Sequence, residues 1–305
     1  MKKVLVTGAT GYIGRLLVRR LSKDPQIQLR LLVRSVGKLD PALPKSTEVV
    51  EGSTFERDSL KQATTGVDHA YYLIHSMGAG KDYQRLDRKS AENFRDACIE
   101  SGVTRIIYLG GLGSKETASR HLLSRIETGE ILRSKPESIK TVWLRAAVIV
   151  GAGSTSFEII RHLVRKLPIM ITPRWVHTQT QPIGVEDVLD YLTDALDLLD
   201  IGNITADIGT DPMSFRDMLM DAARIMGFKR YLLPVPFFSP RLSSYWLILM
   251  TPVDFHIAKE LVQGLKSETL IQNDNAGKLF PGITPMSYEE AVARALGKGN
   301  GWSRT

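Results

Sequence analysis

Two groups of residues in this chain have types and spacing that could do chemistry. Gly8, Gly11 and Gly14 follow an apolar run in VLVTGATGYIG and open the amphipathic stretch YIGRLLVRRL. A strand that breaks into such a turn and starts a helix aims bare backbone N–H groups outward at the positive end of a helix dipole. That arrangement suits a phosphate or pyrophosphate. Glycine is needed because a Cβ would forbid the turn or hold the phosphates away. Gly8 serves the tight turn, Gly11 the close approach and Gly14 the packing of helix on strand, with Thr10, Tyr12 and Ile13 between and beside them. The second group is His121 and Arg125, four apart in SRHLLSRIETGE and so on one helix face. An imidazole of ordinary pKa suits proton transfer at neutral pH. A guanidinium cannot relay a proton, but it can hold a ribose or a phosphate. The alternative is a structural pair at a helix start, with Arg125 bonded to Glu127 or Glu130.

Further candidates cluster where strands should end. His75 and Ser76 in YYLIHSMG follow an apolar run, at a crest well placed to touch a ligand. Ser76 as a helix N-cap is the other reading. About 20 residues beyond the glycines, where an acid would bind the ribose 2′-hydroxyl of NAD, the chain reads LRLLVRS. Arg34 stands there, with no carboxylate beside it. A guanidinium can grip a 2′-phosphate bidentately, so NADP(H) is favoured over NAD(H). Later in the chain, Phe157 and Arg161 follow the loop GAGSTS. TPRWVHTQTQPI offers Arg174, Trp175 and Gln179 between prolines, a turn that could clamp an anionic or aromatic substrate.

The elements that must position these residues form an alternating pattern. Strands are expected at 3–7, 28–34, 47–51, 69–74, 105–110 and 141–145, and helices at 12–22, 57–64, 82–101 and 122–134. Apolar strands alternating with helices imply an α/β doubly wound parallel sheet with ligands at the carboxyl ends of the strands. After about residue 150, prolines punctuate shorter elements, and residues 204–209 read as one more strand at the sheet edge. The domains are therefore read as 1–150, a dinucleotide-binding domain, and 151–305, a smaller C-terminal α/β lobe partly interwoven with it. A last helix is expected to end at Gly297, before a frayed tail.

Composition narrows the function classes. The 305 residues are 43% hydrophobic and 24% charged, ordinary for a globular protein. No apolar stretch approaches the roughly 20 residues of a membrane span. A single cysteine, Cys98, excludes an internal disulfide and fits a reducing cytoplasm. The six histidines are scattered, so no metal site is expected. The net charge of +7 is read as interleaved surface charge, with neither nucleic acid nor membrane as a partner.

TGATGYIG, with G-x-x-G-x-x-G spacing, resembles the extended and atypical members of the short-chain dehydrogenase/reductase superfamily. GVDHAYYLI resembles that family's fourth strand, GVTRIIYLGG its fifth, TVWLRAAVIVGAG the segment beside the nicotinamide, and QPIGVEDVLDYL a late helix start. YYLIHSMG, SRHLLSRIETGEILR and PRWVHTQTQPI are most similar to the NmrA-like members, often described as nucleoside-diphosphate-sugar epimerase-like. The resemblance implies a Rossmann fold and an NAD(P) site that includes Arg145. Ser53 and Thr54 would meet the adenine where relatives carry an acid, and Leu73, Ile74 and His75 would line the adenosine and ribose path. It also implies a catalytic Ser, Tyr and Lys, which this chain lacks. Gly110 and Gly111 occupy the serine neighbourhood, Ser114 comes late, and His121 and Arg125 stand in the Tyr and Lys slots. His121, Arg125 and His75 are then the catalytic candidates, and Ser76, Phe157, Arg174 and Trp175 the substrate candidates. The leading reading is an NADPH-dependent oxidoreductase acting on a small carbonyl or quinone-like molecule. The alternative is a dinucleotide sensor that works through a protein partner without turnover.

Overall fold

The computed structural model describes residues 1–75, 82–172, 174–198, 202–234 and 267–297, without the side chains of Arg174, Trp175 and Pro234. Seven parallel strands form the central sheet. They are β1 (Lys2–Thr7), β2 (Ile27–Val33), β3 (Glu48–Glu51), β4 (His69–Tyr72), β5 (Arg105–Gly111), β6 (Lys140–Ala146) and β11 (Ile204–Ile208). Their order is β11-β6-β5-β4-β1-β2-β3, so the direction of winding reverses beside β1 and β4. A doubly wound sheet opens a crevice at such a reversal. All the expected strands are present, with β4 ending at Tyr72 rather than residue 74.

Side chains alternate across this sheet with the two-residue period of a strand. Val4 and Val6 of β1 belong to one apolar core, Leu5 to the other. Helices α1 (Tyr12–Leu21) and α6 (Val185–Asp194) cover the first face. Helices α2 (Arg57–Thr64), α3 (Tyr83–Glu100) and α4 (Arg120–Leu132) cover the second. Ser119 caps α4 by accepting the Leu122 N–H at 3.3 Å, so the helix begins two residues before the expected start and His121 lies in its first turn.

The remaining elements build a third core. Helices α5 (Thr155–Lys166), α7 (Phe215–Met226) and α9 (Tyr288–Ala295) pack around Phe157, Met218, Ala222 and Val292. Three short strand pairs edge this region: β7 (Ile149–Val150) with β10 (Ile183–Gly184), β9 (Gln179–Thr180) with β12 (Met213–Ser214), and β8 (Ile169–Thr172) with β13 (Tyr231–Pro234). None of the pairs was foreshadowed by the strand-like runs in the sequence. The short helix α8 (Asn275–Leu279) returns to the large sheet beside β11, and Phe280 meets the Tyr191 ring edge-on at 5.2 Å. Gly297 takes the left-handed φ of +69° just after α9, as a helix-ending glycine should.

Candidate functional site

The site is built first from backbone. Gly8 has φ +71°, and a Cβ there would sit 2.3 Å from the Leu73 carbonyl oxygen. A Cβ on Gly14 would sit 2.1 Å from the Gly8 oxygen. Gly11 differs, because its added Cβ would meet only the Gly8 oxygen at 3.2 Å and otherwise face open space. The Gly11 N–H closes the turn onto the Gly8 carbonyl at 2.9 Å. Helix α1 then starts with no side-chain cap and no acid in its first turn. The N–H groups of that turn have no intrahelical acceptor and lie at the positive helix end. Thr7 fixes the turn to the next strand, its hydroxyl donating to the Tyr71 carbonyl at 2.9 Å.

Two chambers meet over this turn and share Gly8, Gly11, Leu73, Ile74 and His75 as common wall. The first has a volume of about 560 Å³ and is bounded by Thr10, Arg34, Ser53, Thr54 and Ser90 among others. Arg34 is exposed at its rim and has no carboxylate partner among the described residues. Thr54 is buried and its hydroxyl is engaged, 2.7 Å from Ser90 Oγ, which in turn lies 2.7 Å from the Tyr72 hydroxyl. Thr54 therefore shapes the chamber wall while its hydroxyl serves an internal chain.

The second chamber, about 370 Å³, is largely apolar. Its floor is Gly110–Leu112 at the end of β5 and Ala146–Ile149 at the end of β6, and its sides are Tyr12 and Ile13 of α1 with Thr155 and Ser156 of α5. His75 and His121 both line it as neighbours, with ring centroids 6.4 Å apart, edge to face. Desolvation, and secondarily the Arg125 charge, pushes His121 down to about 3 and His75 down to about 4. His75 is open to the hollow of the cleft, yet protein crowds its other sides. Both rings are neutral at pH 7. This corrects the expectation of a His121 titrating near neutrality. An apolar wall and a fixed cation both oppose its protonation.

Arg125 also lines this chamber and donates from Nη2 to the Leu109 carbonyl at 2.5 Å. Neither expected carboxylate holds it. Glu127 pairs with Arg88 and Glu130 with Lys115. The absent serine has a physical reason. A Cβ on Gly110 would sit 2.2 Å from Trp143 Nε1, and one on Gly111 would sit 2.6 Å from Leu122 Cδ1. The indole fills the space beneath the floor, resting also against Gly129 of α4. Ser114 bonds to Glu116 and lies outside the chamber wall.

Two sequence expectations fail on geometry. Arg145 does not line the cleft. Strand alternation turns it to the face it shares with Trp143, where Nε and Nη2 clamp its register partner on β11, buried Asp207, at 2.5 and 2.9 Å. Phe157 is fully buried in the third core, because the Ser154 cap on its N–H turns the start of α5 so that Thr155 and Ser156 face the chamber instead. Arg161 pairs with Glu158 at 2.6 Å and does not line the chamber. Ser76 lies outside the described residues, as do the side chains of Arg174 and Trp175. Reading the sequence also missed Phe215 and Thr269, whose approach depends on long-range folding. The GAGSTS loop did carry a signal, for the lining residues Thr155 and Ser156 are its last two, directly before the Phe157 that was singled out.

Comparison with known proteins agrees with this architecture. Residues 8–146 match a family model described as NAD(P)H-binding. The chain is 28% identical over 251 residues to the ceramide reductase of Caulobacter vibrioides, covering 76% of this chain and 73% of that one. It is 24% identical over 265 residues to a UDP-glucose 4-epimerase of Vibrio cholerae, covering 77% and 79%. Among solved structures, a Citrobacter sp. triphenylmethane reductase superposes with a TM-score of 0.77 at 22% identity, over 97% of this chain and 99% of that one. The same reductase complexed with NADP(H) gives a TM-score of 0.75. At that identity the likeness establishes the fold. Reductases and epimerases do not favour the sensor alternative. No described helix is long and apolar enough to cross a membrane.

Proposed function

We propose that this chain, whose residues 8–146 match an NAD(P)H-binding family model, is of the atypical short-chain dehydrogenase/reductase type and is an NADPH-dependent reductase of a small carbonyl or quinone-like substrate. The observation that carries this reading is the pair of joined chambers. One is rimmed by an exposed arginine, the other is largely apolar with two imidazoles and a guanidinium in its wall, and an unobstructed glycine turn lies between them. The turn fits a dinucleotide, because Gly11 faces open space where any Cβ would intrude and the helix start carries no competing acid. The N–H groups of the first turn of α1 would hold the pyrophosphate, and Arg34 the 2′-phosphate. When bound, the nicotinamide supplies a hydride.

The chain's own residues do the rest in this reading. Leu112, Val148, Ile149 and Phe215 exclude water from the second chamber. A neutral imidazole cannot serve as the acid at pH 7, but its ring N–H can donate a hydrogen bond to a substrate oxygen. His121 has that role, His75 supports it from beside, and the Arg125 charge stabilises the oxyanion that develops. The final proton then comes from water at the open side of the cleft, which explains how a chain without the usual tyrosine can still complete a reduction.

The test is calorimetric titration with NADPH and NADH, followed by nicotinamide absorbance against aldehydes, ketones and quinones. Tighter NADPH binding and oxidation by at least one panel class are expected. Tight binding with no oxidation by any class would overturn the reductase reading.

A further inference from the structure

The charge of the chain is distributed unevenly. The sequence from 159 to 185 and from 222 to 253 contains no Asp or Glu, and these two stretches hold eight Lys and Arg, more than the whole net charge of +7. The described parts of both meet in the β8–β13 ribbon. Its register places Ile169 opposite Tyr231 and Ile171 opposite Leu233. These four side chains share the outward face and are 57%, 66%, 37% and 54% exposed, in that order, while Met170 and Leu232 on the other face pack into the third core. Phe228, 38% exposed, adds to the patch, under the Arg230 guanidinium 4.4 Å from its ring centroid. Five of the nine exposed large apolar side chains among the described residues therefore lie at this one place.

Cations rim it. Arg165 and Lys166 end α5 just before β8, and Lys229 precedes β13. All three are exposed, and none has a carboxylate partner among the described residues. Other exposed cations, such as Arg19 with Asp40 and Arg88 with Glu127, do have one. A contiguous apolar face on a monomer marks an interaction surface. Water gives no reason to set exposed apolar side chains inside a ring of cations. An anionic lipid surface does, since it accepts apolar side chains at the headgroup boundary and attracts Lys and Arg around them.

We propose that the β8–β13 ribbon is a peripheral docking surface for anionic membrane, with Ile169, Ile171, Tyr231 and Leu233 entering the interface and Arg165, Lys166 and Lys229 engaging lipid phosphates. This departs from the sequence-based expectation that membrane is not a partner. It does not depend on the reductase reading. Helix α5 runs from the chamber at Thr155 to the ribbon at Lys166, which spaces the two by about 18 Å for 12 residues. Docking there would hold the enzyme at the bilayer while leaving the dinucleotide cleft open to water.

The experiment is flotation of the full chain with vesicles of phosphatidylcholine alone and of phosphatidylcholine and phosphatidylglycerol in equal parts, at low and high salt. Binding only to the anionic vesicles is expected, weakening with salt. Ile169→Asp with Leu233→Asp should abolish it, and each of Lys166→Gln and Lys229→Gln should weaken it by roughly fivefold. Melting temperature and NADPH titration report on folding and on the cleft, and both should stay unchanged in these variants. Failure of the wild-type chain to float with anionic vesicles overturns the proposal. So does equal binding to both vesicle types, or light scattering that shows a dimer which Leu233→Asp splits, since a second copy would then own the ribbon.

Discussion

The two chambers of the cleft are built by different means. The Arg34 side rests on backbone: a left-handed Gly8, an open Gly11 and an uncapped helix start. The histidine side rests on side chains drawn from the residues after β4, the ends of β5 and β6, and α4 and α5, and its electrostatics come from what surrounds them. Backbone requirements leave a signature in sequence, because only glycine satisfies them. Side-chain chemistry set by burial leaves none, since His121 reads the same whether it titrates near neutrality or, as here, far below.

The sharpest way to break this comparison is at the glycines. Gly14→Val should unfold the turn, because its side chain would begin 2.1 Å from a carbonyl oxygen. Gly11→Val should leave the melting temperature nearly intact and remove dinucleotide binding, as calorimetry would show. Equal melting losses in both variants would mean that the open face of Gly11 has no ligand role.

The second test is on the other chamber. His121→Phe should lower turnover by about 10²-fold, the size of one lost donor to a developing oxyanion, and leave cofactor affinity unchanged. Gly110→Ser, which puts a serine in the neighbourhood where the resemblance implies one, should not raise activity. The hydroxymethyl group would begin 2.2 Å from Trp143 Nε1, so a melting temperature lower by several degrees is expected. A stable and faster Gly110→Ser enzyme would refute the account of the missing serine.

Arg34→Asp should shift the NADPH to NADH affinity ratio by roughly tenfold or more, as expected for losing a charged hydrogen bond to a phosphate. An unchanged ratio would remove Arg34 from the site.

The smallest effect concerns acid. Both histidines have lowered pKa values in the fold, so the unfolded chain takes up their protons first as pH falls below about 6.5. Their neutral forms thus support stability above that point, and the support is lost progressively toward pH 4. His75→Gln should flatten this part of the acid melting curve while changing little at pH 8.

The sheet was legible because most of its strands carry a run of apolar, largely buried residues. β5 is buried at all seven positions, and such a run has few homes other than a central parallel strand. The short ribbon pairs were not legible, because two to four residues carry no dependable period. Arg145 and Phe157 were misplaced for a related reason. Each lies within one or two residues of lining positions, and strand alternation or helix rotation over that distance reverses the facing. Phe215 and Thr269 carried no local signal at all.

The first core has a consequence for how the protein is made. Val4, Leu17 and Leu29 share it with Val188, Leu192, Ile208 and Phe280, so the opening strand cannot finish burying its apolar face until residue 280 has been added. At ribosomal speeds the 130 residues after position 150 take on the order of ten seconds. Throughout that interval a nearly complete glycine turn waits beside unfilled apolar surface. Nascent chains stalled before α8 should therefore bind chaperone and no dinucleotide, and the cofactor pocket should be among the last parts of the newly made protein to work.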